Sequence, residues 1–296
     1  MSLQNIKPDQ PSKAPFRLPL HWLGILPFAI FVLLFLILPT MRIVLGAFQT
    51  PDGSFTLANI RGLFTDSILA AYWISIKISI ASAVLGCAIG FAVASAVVLG
   101  GLPQAIRGPL LTFSGVASNF AGVPLAFAFL ATLGPVGLVT VFLKTQLGID
   151  LRLLGFNLLS FWGLTITYLF FQIPLMILII TPALDGLKRE WREAASILGA
   201  TNAQYWRLVA FPILLPSLLG TLALLFANAF GAVATAIALT GSSLSIVPIL
   251  LFAQIRGDVL GDPHLGYALA FGMIVVTGIA NAIYIWLRAR SERWLK

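Results

Sequence analysis

Residues 185–216 read DGLKREWREAASILGATNAQYWRLVAFPILLP, the longest charged, amphipathic island in a chain that otherwise reads as lipid-soluble. Leu187, Trp191, Ala194, Ala195 and Leu198 fall at the spacing of one helical face, and Lys188, Arg189, Arg192, Glu193 and Ser196 take the other. Asp185 suits the N-cap of this helix, and Gly199 stands where a C-terminal glycine would end it. Thr201 then opens a second helix, with Gln204 three residues on completing a capping-box pattern. The island is therefore predicted to be helix, tight Gly199-Ala200 turn, helix, with Pro212 marking the start of the next apolar run.

Outward from the island the chain is almost free of charge. Of 296 residues, 59% are hydrophobic and only 9% charged, against about a quarter charged in soluble domains; the mean hydropathy is +1.00. The fold class that follows is an all-α integral membrane protein. Apolar runs long enough to cross a bilayer lie at about Trp22–Met41, Ile68–Leu99, Leu110–Leu133 (interrupted by Pro124), Leu159–Leu184, onward from Pro212, and Leu265–Leu287. Leu244–Ile255 is too short to cross and contains Pro248, so it is expected to be re-entrant or interfacial. With six spans and both termini cytoplasmic, the inner side holds Lys7, Lys13, Arg17, Arg107, Lys188, Arg189, Arg192, Arg207, Arg288, Arg290, Arg293 and Lys296. The outer side keeps Arg42, Arg61, Lys77, Lys144, Arg152 and Arg256. That split obeys the positive-inside rule, whereas a seventh span would push the basic C-terminus outside. The +8 net charge is thus explained by topology without a nucleic-acid partner. The expected organisation is an N-terminal tail over 1–17, a first helix and outer loop over 18–67, a five-helix core over 68–290 holding the loop 185–208, and a tail over 291–296.

The chemistry absent from the sequence narrows the function. No GxxxxGK[ST] run supplies a phosphate-binding loop. One cysteine, Cys87, and two separated histidines offer neither a disulfide nor a zinc site, and no span carries a carboxylate for a proton relay. The spans hold neutral polarity: Asn119, Tyr168, Gln172, Asn228, Thr235 and Asn281. Each either lines a passage or hydrogen-bonds a neighbouring helix. Asn119, Gln172 and Asn228 sit mid-span and are assigned to a passage together with Tyr168 and Thr235, and Asn281 to structure. Two ridges of small residues recur every fourth position, Ser82-Gly86-Gly90-Ala94 in the second span and Ala223-Ala227-Gly231-Thr235 in the fifth. The first reads as a close-packing face; the second serves either a sliding or a static contact.

Glu193-Ala194-Ala195, three residues, Gly199, nine residues, then Val209-Ala210-Phe211-Pro212 resembles the EAA loop of bacterial ABC-importer permeases. Val209 and Phe211 stand where that pattern has Ile and Leu. The resemblance implies that Arg192, Glu193, Ala194, Ala195, Leu198, Gly199, Ala200 and Thr201 form a cytoplasmic coupling helix between spans 4 and 5, docking on a separate ATPase. Two adjacent alanines make a helix face low enough to enter a groove, Glu193 offers a carboxylate to a partner, and Gly199 permits the turn. An interfacial helix anchored by Trp191 and a DNA-binding helix-turn-helix are the other readings of the same residues. The overall look is most similar to the spermidine/putrescine branch, implying a polyamine, with a phosphonate or another small solute as alternative. The implied partners are an ABC ATPase dimer, a second, similar permease, a periplasmic substrate-binding protein and membrane lipid, with no nucleic acid. No cofactor is expected in this chain; ATP and Mg belong on the partner ATPase. A stand-alone channel, a secondary carrier or a membrane enzyme is the competing class.

Overall fold

A computed structural model describes residues 21–100, 102–241, 243–256 and 262–292. The tail expected over 1–17, with Lys7, Lys13 and Arg17, and residues 293–296 of the tail expected over 291–296, with Arg293 and Lys296, lie outside the described residues. Among those described, the regular structure is helical, apart from one isolated bridge between Gln49 and Phe55.

The first crossing comprises α1 (His21–Val32) and α2 (Leu38–Ala47), joined by a π-turn over Leu33–Ile37. Its cause is Pro39, which has no N–H to continue the ladder; one residue earlier, Leu38 donates to the Leu33 carbonyl five positions back. The same device recurs at Trp206–Ala210, where Phe211 donates to Trp206 immediately before Pro212. The crossing runs six residues past the expected Met41, because Arg42 is exposed and needs no break to stay solvated. A short α3 (Ala58–Gly62) follows in the outer loop.

The body is organised on α4 (Asp66–Leu99). Ser75, Ser79, Ser82, Gly86, Gly90 and Ala94 form a buried stripe along it and face α8 (Phe161–Asp185). A Cβ on Gly86 would lie 2.8 Å from Gln172 Cβ, and one on Gly90 2.6 Å from Met176 Cβ. The first ridge is therefore a close-packing face, as its spacing predicts. Between these helices come α5 (Gln104–Asn119), α6 (Gly122–Leu133) and α7 (Leu138–Gln146). Past Gln146, Lys144 hydrogen-bonds Asp150 at 3.0 Å and holds its carboxyl below the usual carboxylate range.

Beyond α8 lie α9 (Arg189–Ile197) and α10 (Asn202–Tyr205), then α11 (Phe211–Phe230), α12 (Val233–Thr240), α13 (Val247–Arg256) and α14 (Pro263–Glu292). Among the described residues, six helical stretches are long and apolar enough to cross a membrane: Gly24–Ala47, Asp66–Leu99, Gly122–Gln146, Phe161–Asp185, Asn202–Phe230 and Pro263–Arg290. The segment read as re-entrant or interfacial forms the ten-residue α13, too short to cross, capped onto the body by Val247 N–H donating to Ser75 Oγ at 2.9 Å.

Two expected spans are corrected. Leu110–Leu133 is not one helix: it breaks at Phe120-Ala121, and the qualifying apolar stretch runs from Gly122 to Gln146. Gly122 at φ +73° and the missing N–H of Pro124 fix that break. The fifth span ends at Phe230, with Gly231-Ala232 separating it from α12, so the ridge Ala223-Ala227-Gly231-Thr235 does not share one helix face.

Candidate functional site

Two regions collect the residues singled out by sequence. The first is the island. Asp185 is not the cap expected of it; it is the last residue of α8, its carboxylate salt-bridged to Arg107, and Lys188 takes the N-cap position of α9. The α8 periodicity simply continues one residue into the polar island. The far end follows expectation closely. Gly199 adopts φ +76°, its N–H donates to Ser196 O at 3.0 Å, and Ala200 N–H donates to Ala195 O at 2.9 Å. That pair of bonds is the Schellman closure. Thr201 accepts from Gln204 N–H at 3.3 Å, and the Gln204 side chain accepts from Thr201 N–H at 2.7 Å, completing the capping box.

Ahead of these two motifs, α9 buries no residue. Arg192, Glu193, Ala194 and Ser196 are exposed, Ala195 half-buried, and Glu193 is held by Arg189 at 2.9 Å in an exposed pair. Ile197 and Leu198 are each 86% exposed. Two large aliphatic side chains at a capped turn thus stand in the open, a departure from ordinary burial. Ile197 was not singled out in sequence because it sits off the apolar face, yet it is as exposed as its neighbour Leu198.

The second region is a cleft of about 430 Å³ where both broken helices meet. Asn119, Asn228 and Thr235 line it together with Ser118, Gly122 and Gly231. Thr235 Oγ1 accepts from Gly122 N–H at 2.7 Å, tying the α5–α6 break to α12. Asn119 Nδ2 folds back onto Gly115 O at 2.9 Å, and the Asn228 side chain is exposed on the wall. The N-termini of α6 and α12 and the C-termini of α5 and α11 all end here, so the helix dipoles largely oppose one another. No carboxylate or cation lines the cleft.

Tyr168 and Gln172 do not reach it. Tyr168 is 2% exposed and donates its hydroxyl to Ala232 O at 3.0 Å, which props the α11–α12 break from behind. Gln172 is fully buried in the α4–α8 seam, where Nε2 donates to Ser82 Oγ at 3.0 Å while Oε1 has no hydrogen-bond partner. Both are mid-span, as expected, but on the face that packs; a mid-span position says nothing about azimuth. Asn281 donates to Thr277 O in its own helix, the structural use expected of it.

Residues 151–296 match the family described as the binding-protein-dependent transport system inner membrane component. The sulfate transport system permease protein CysT of Synechococcus elongatus is 27% identical over 265 residues, covering 87% of this chain and 89% of that protein. Its Salmonella typhimurium counterpart is 30% identical over 97 residues, 32% of this chain and 35% of that protein, so the matched part spans about a third of its length. The spermidine/putrescine permease protein PotC of Haemophilus influenzae is 29% identical over 119 residues, 40% of this chain and 45% of that one. Among solved structures, a chain of a bacterial ABC transporter involved in alginate import superposes with TM-score 0.70 at 18% identity, covering 94% of this chain and 96% of that one. A chain of the MetNI methionine transporter gives TM-score 0.55 at 14% identity over 75% of this chain and 95% of that one. These relatives are transport permease subunits, not enzymes. With its six apolar crossings, the chain is a multi-pass protein of the bacterial inner membrane.

Proposed function

We infer, from the match of residues 151–296 to the binding-protein-dependent transport permeases, that this chain is the permease subunit of an ATP-driven importer. The observation that carries the reading is α9: a helix with no buried residue, closed by the Schellman turn at Gly199 and presenting the bare pair Ile197-Leu198. In this reading ATP and Mg act on a partner ATPase dimer, a periplasmic binding protein delivers the solute, and a second permease completes the pore. Arg192, Glu193, Ala194, Ala195, Leu198, Gly199, Ala200 and Thr201 form the docking element. Copurification tests it: the tagged chain should carry ATP hydrolysis with it, and purified chain free of any ATPase would argue for a stand-alone carrier.

For the solute we propose an inorganic oxyanion of the sulfate type rather than a polyamine. Support comes from the match to a sulfate permease over most of both chains, against one over less than half for a polyamine permease. The cleft agrees in one respect, since it offers no carboxylate to a polycation. With no charge of its own it makes weak contacts, which favours passage over storage. Cells carrying the complete transporter should take up labelled sulfate, and excess putrescine should not compete; uptake of labelled putrescine with none of sulfate would reverse the assignment. Asn228→Ala should lower the rate several-fold without changing that preference, since one exposed amide contributes about 1 kcal/mol. A switch in the solute carried would place a specific site in this chain.

For topology we propose both ends cytoplasmic. The Arg107–Asp185 pair puts the α4–α5 connection and the end of α8 on one membrane face, as that arrangement requires. In a Cys87-free background, a cysteine replacing Ser243 should react with an impermeant maleimide from outside and one replacing Ser291 should not. Labelling of the Ser291 position from outside would refute the topology.

A further inference from the structure

A groove of about 440 Å³ runs between α4, α11 and α14, on none of the residues that line the cleft. Each of the three helices lines it with one alanine, Ala83, Ala223 and Ala280, whose short side chains leave room there. Ala223 belongs to the second small-residue ridge, whose next members, Ala227 and Gly231, line the cleft instead. The helices touch on both sides of the hollow, where Tyr72 donates to Leu269 O at 2.7 Å and where Tyr284 packs against Gly220. The groove follows α14 from Val276 to Leu287, about 16 Å at the helical rise. Its outer rim, Ile279 and Ile283, is more than half exposed.

An apolar hollow open to a bilayer does not stay empty, since its lining would forfeit dispersion contacts. Its lower end specifies more than hydrocarbon. Tyr284 lines the groove and receives Arg288 Nη1 at 3.4 Å on its hydroxyl. Two residues past Arg288, Arg290 lies over the exposed Trp286 ring at 5.7 Å. Trp beside Arg at a span's end marks headgroup level, so a chain lying in the groove would have its phosphate among Tyr284, Arg288 and Arg290. We propose that this groove binds one anionic glycerophospholipid, an acyl chain over Ala83, Ala223 and Ala280 and the phosphate at the basic end.

Native mass spectrometry of the full chain, released from nanodiscs of equal phosphatidylglycerol and phosphatidylcholine, tests this. One retained phosphatidylglycerol per chain is expected, preferred over phosphatidylcholine by roughly fivefold or more, the scale set by a single juxtamembrane arginine. Ala223→Phe and Ala280→Phe should each abolish retention by filling the hollow. Arg290→Glu, which leaves the groove intact, should abolish only the headgroup preference. A cysteine replacing Ile279 should be quenched by lipid spin-labelled on its tail. Retention indifferent to headgroup, or unchanged when the hollow is filled, would overturn the proposal. So would disulfide cross-linking of two chains through that cysteine without lipid quenching, which would assign the groove to a second copy.

Discussion

Glu193→Lys is expected to abolish solute uptake while the protein still reaches the membrane in normal amount. Glu193 is exposed and forms an exposed pair with Arg189 one turn earlier. Such pairs contribute little to folding, so insertion and packing should survive reversal. At the docking surface proposed for α9 the same change is costly, because the attraction a carboxylate offers a basic group becomes a repulsion. Interfacial charge pairs lose about 2–5 kcal/mol when one member is removed. A loss of ~3 kcal/mol is roughly a hundredfold in coupled-state population, enough to reach background. Gly199→Leu should have the same result by another route. Its φ of +76° costs a branched side chain roughly 1–2 kcal/mol, so the Schellman closure opens and Ile197-Leu198 lose their fixed presentation. Replacing both of these by alanine should also weaken ATPase retention, since burying each contributes about 1.5–3 kcal/mol. Uptake, membrane content by immunoblot and copurified ATP hydrolysis are measured together. Normal uptake in both Glu193→Lys and Gly199→Leu would remove α9 from the coupling role.

The island was legible because its signals are local. The exposed helix, the Schellman glycine that ends it and the capping box that follows each depend on a few neighbouring residues, and all fall where the sequence puts them. The six crossings were legible for a similar reason: hydrophobic length needs no knowledge of packing. What failed depended on the third dimension. Apolarity does not distinguish a straight helix from one broken at Phe120-Ala121 or Gly231-Ala232, since neither break introduces charge. Pro124 and Gly231 hinted at both, but a proline or glycine in a membrane helix is as often tolerated as it is a break. The passage residues divided for the same reason. Asn119, Asn228 and Thr235 meet across two helix breaks that no periodicity encodes. Gln172 points from α8 into the α4 seam because the small stripe at Ser82-Gly86 gives it room.

That seam sets the second large expectation: Gly90→Leu should prevent assembly of the body. A Cβ at Gly90 would stand 2.6 Å from Met176 Cβ and 2.9 Å from the Ile173 carbonyl. Neither can withdraw, because both belong to a buried helix on the far side of the contact. Overpacking by one or two methylenes costs about 1–3 kcal/mol, and leucine adds more than that volume directly on backbone. Separating α4 from α8 to relieve it would also expose the buried Ser82–Gln172 hydrogen bond. Gly278→Ala in α14 is the matching control, since its Cβ would meet nothing within 4 Å. There the substitution should be neutral or stabilise by up to about 1 kcal/mol through helix propensity. Detergent-extracted protein, followed by fluorescence size-exclusion chromatography after heating, distinguishes the two. Gly90→Leu should give aggregated or absent protein, and Gly278→Ala a peak that melts at or slightly above the parent. A monodisperse Gly90→Leu with parental melting would mean that α4 and α8 do not pack through this stripe, and the close-packing role of the ridge would fall with it.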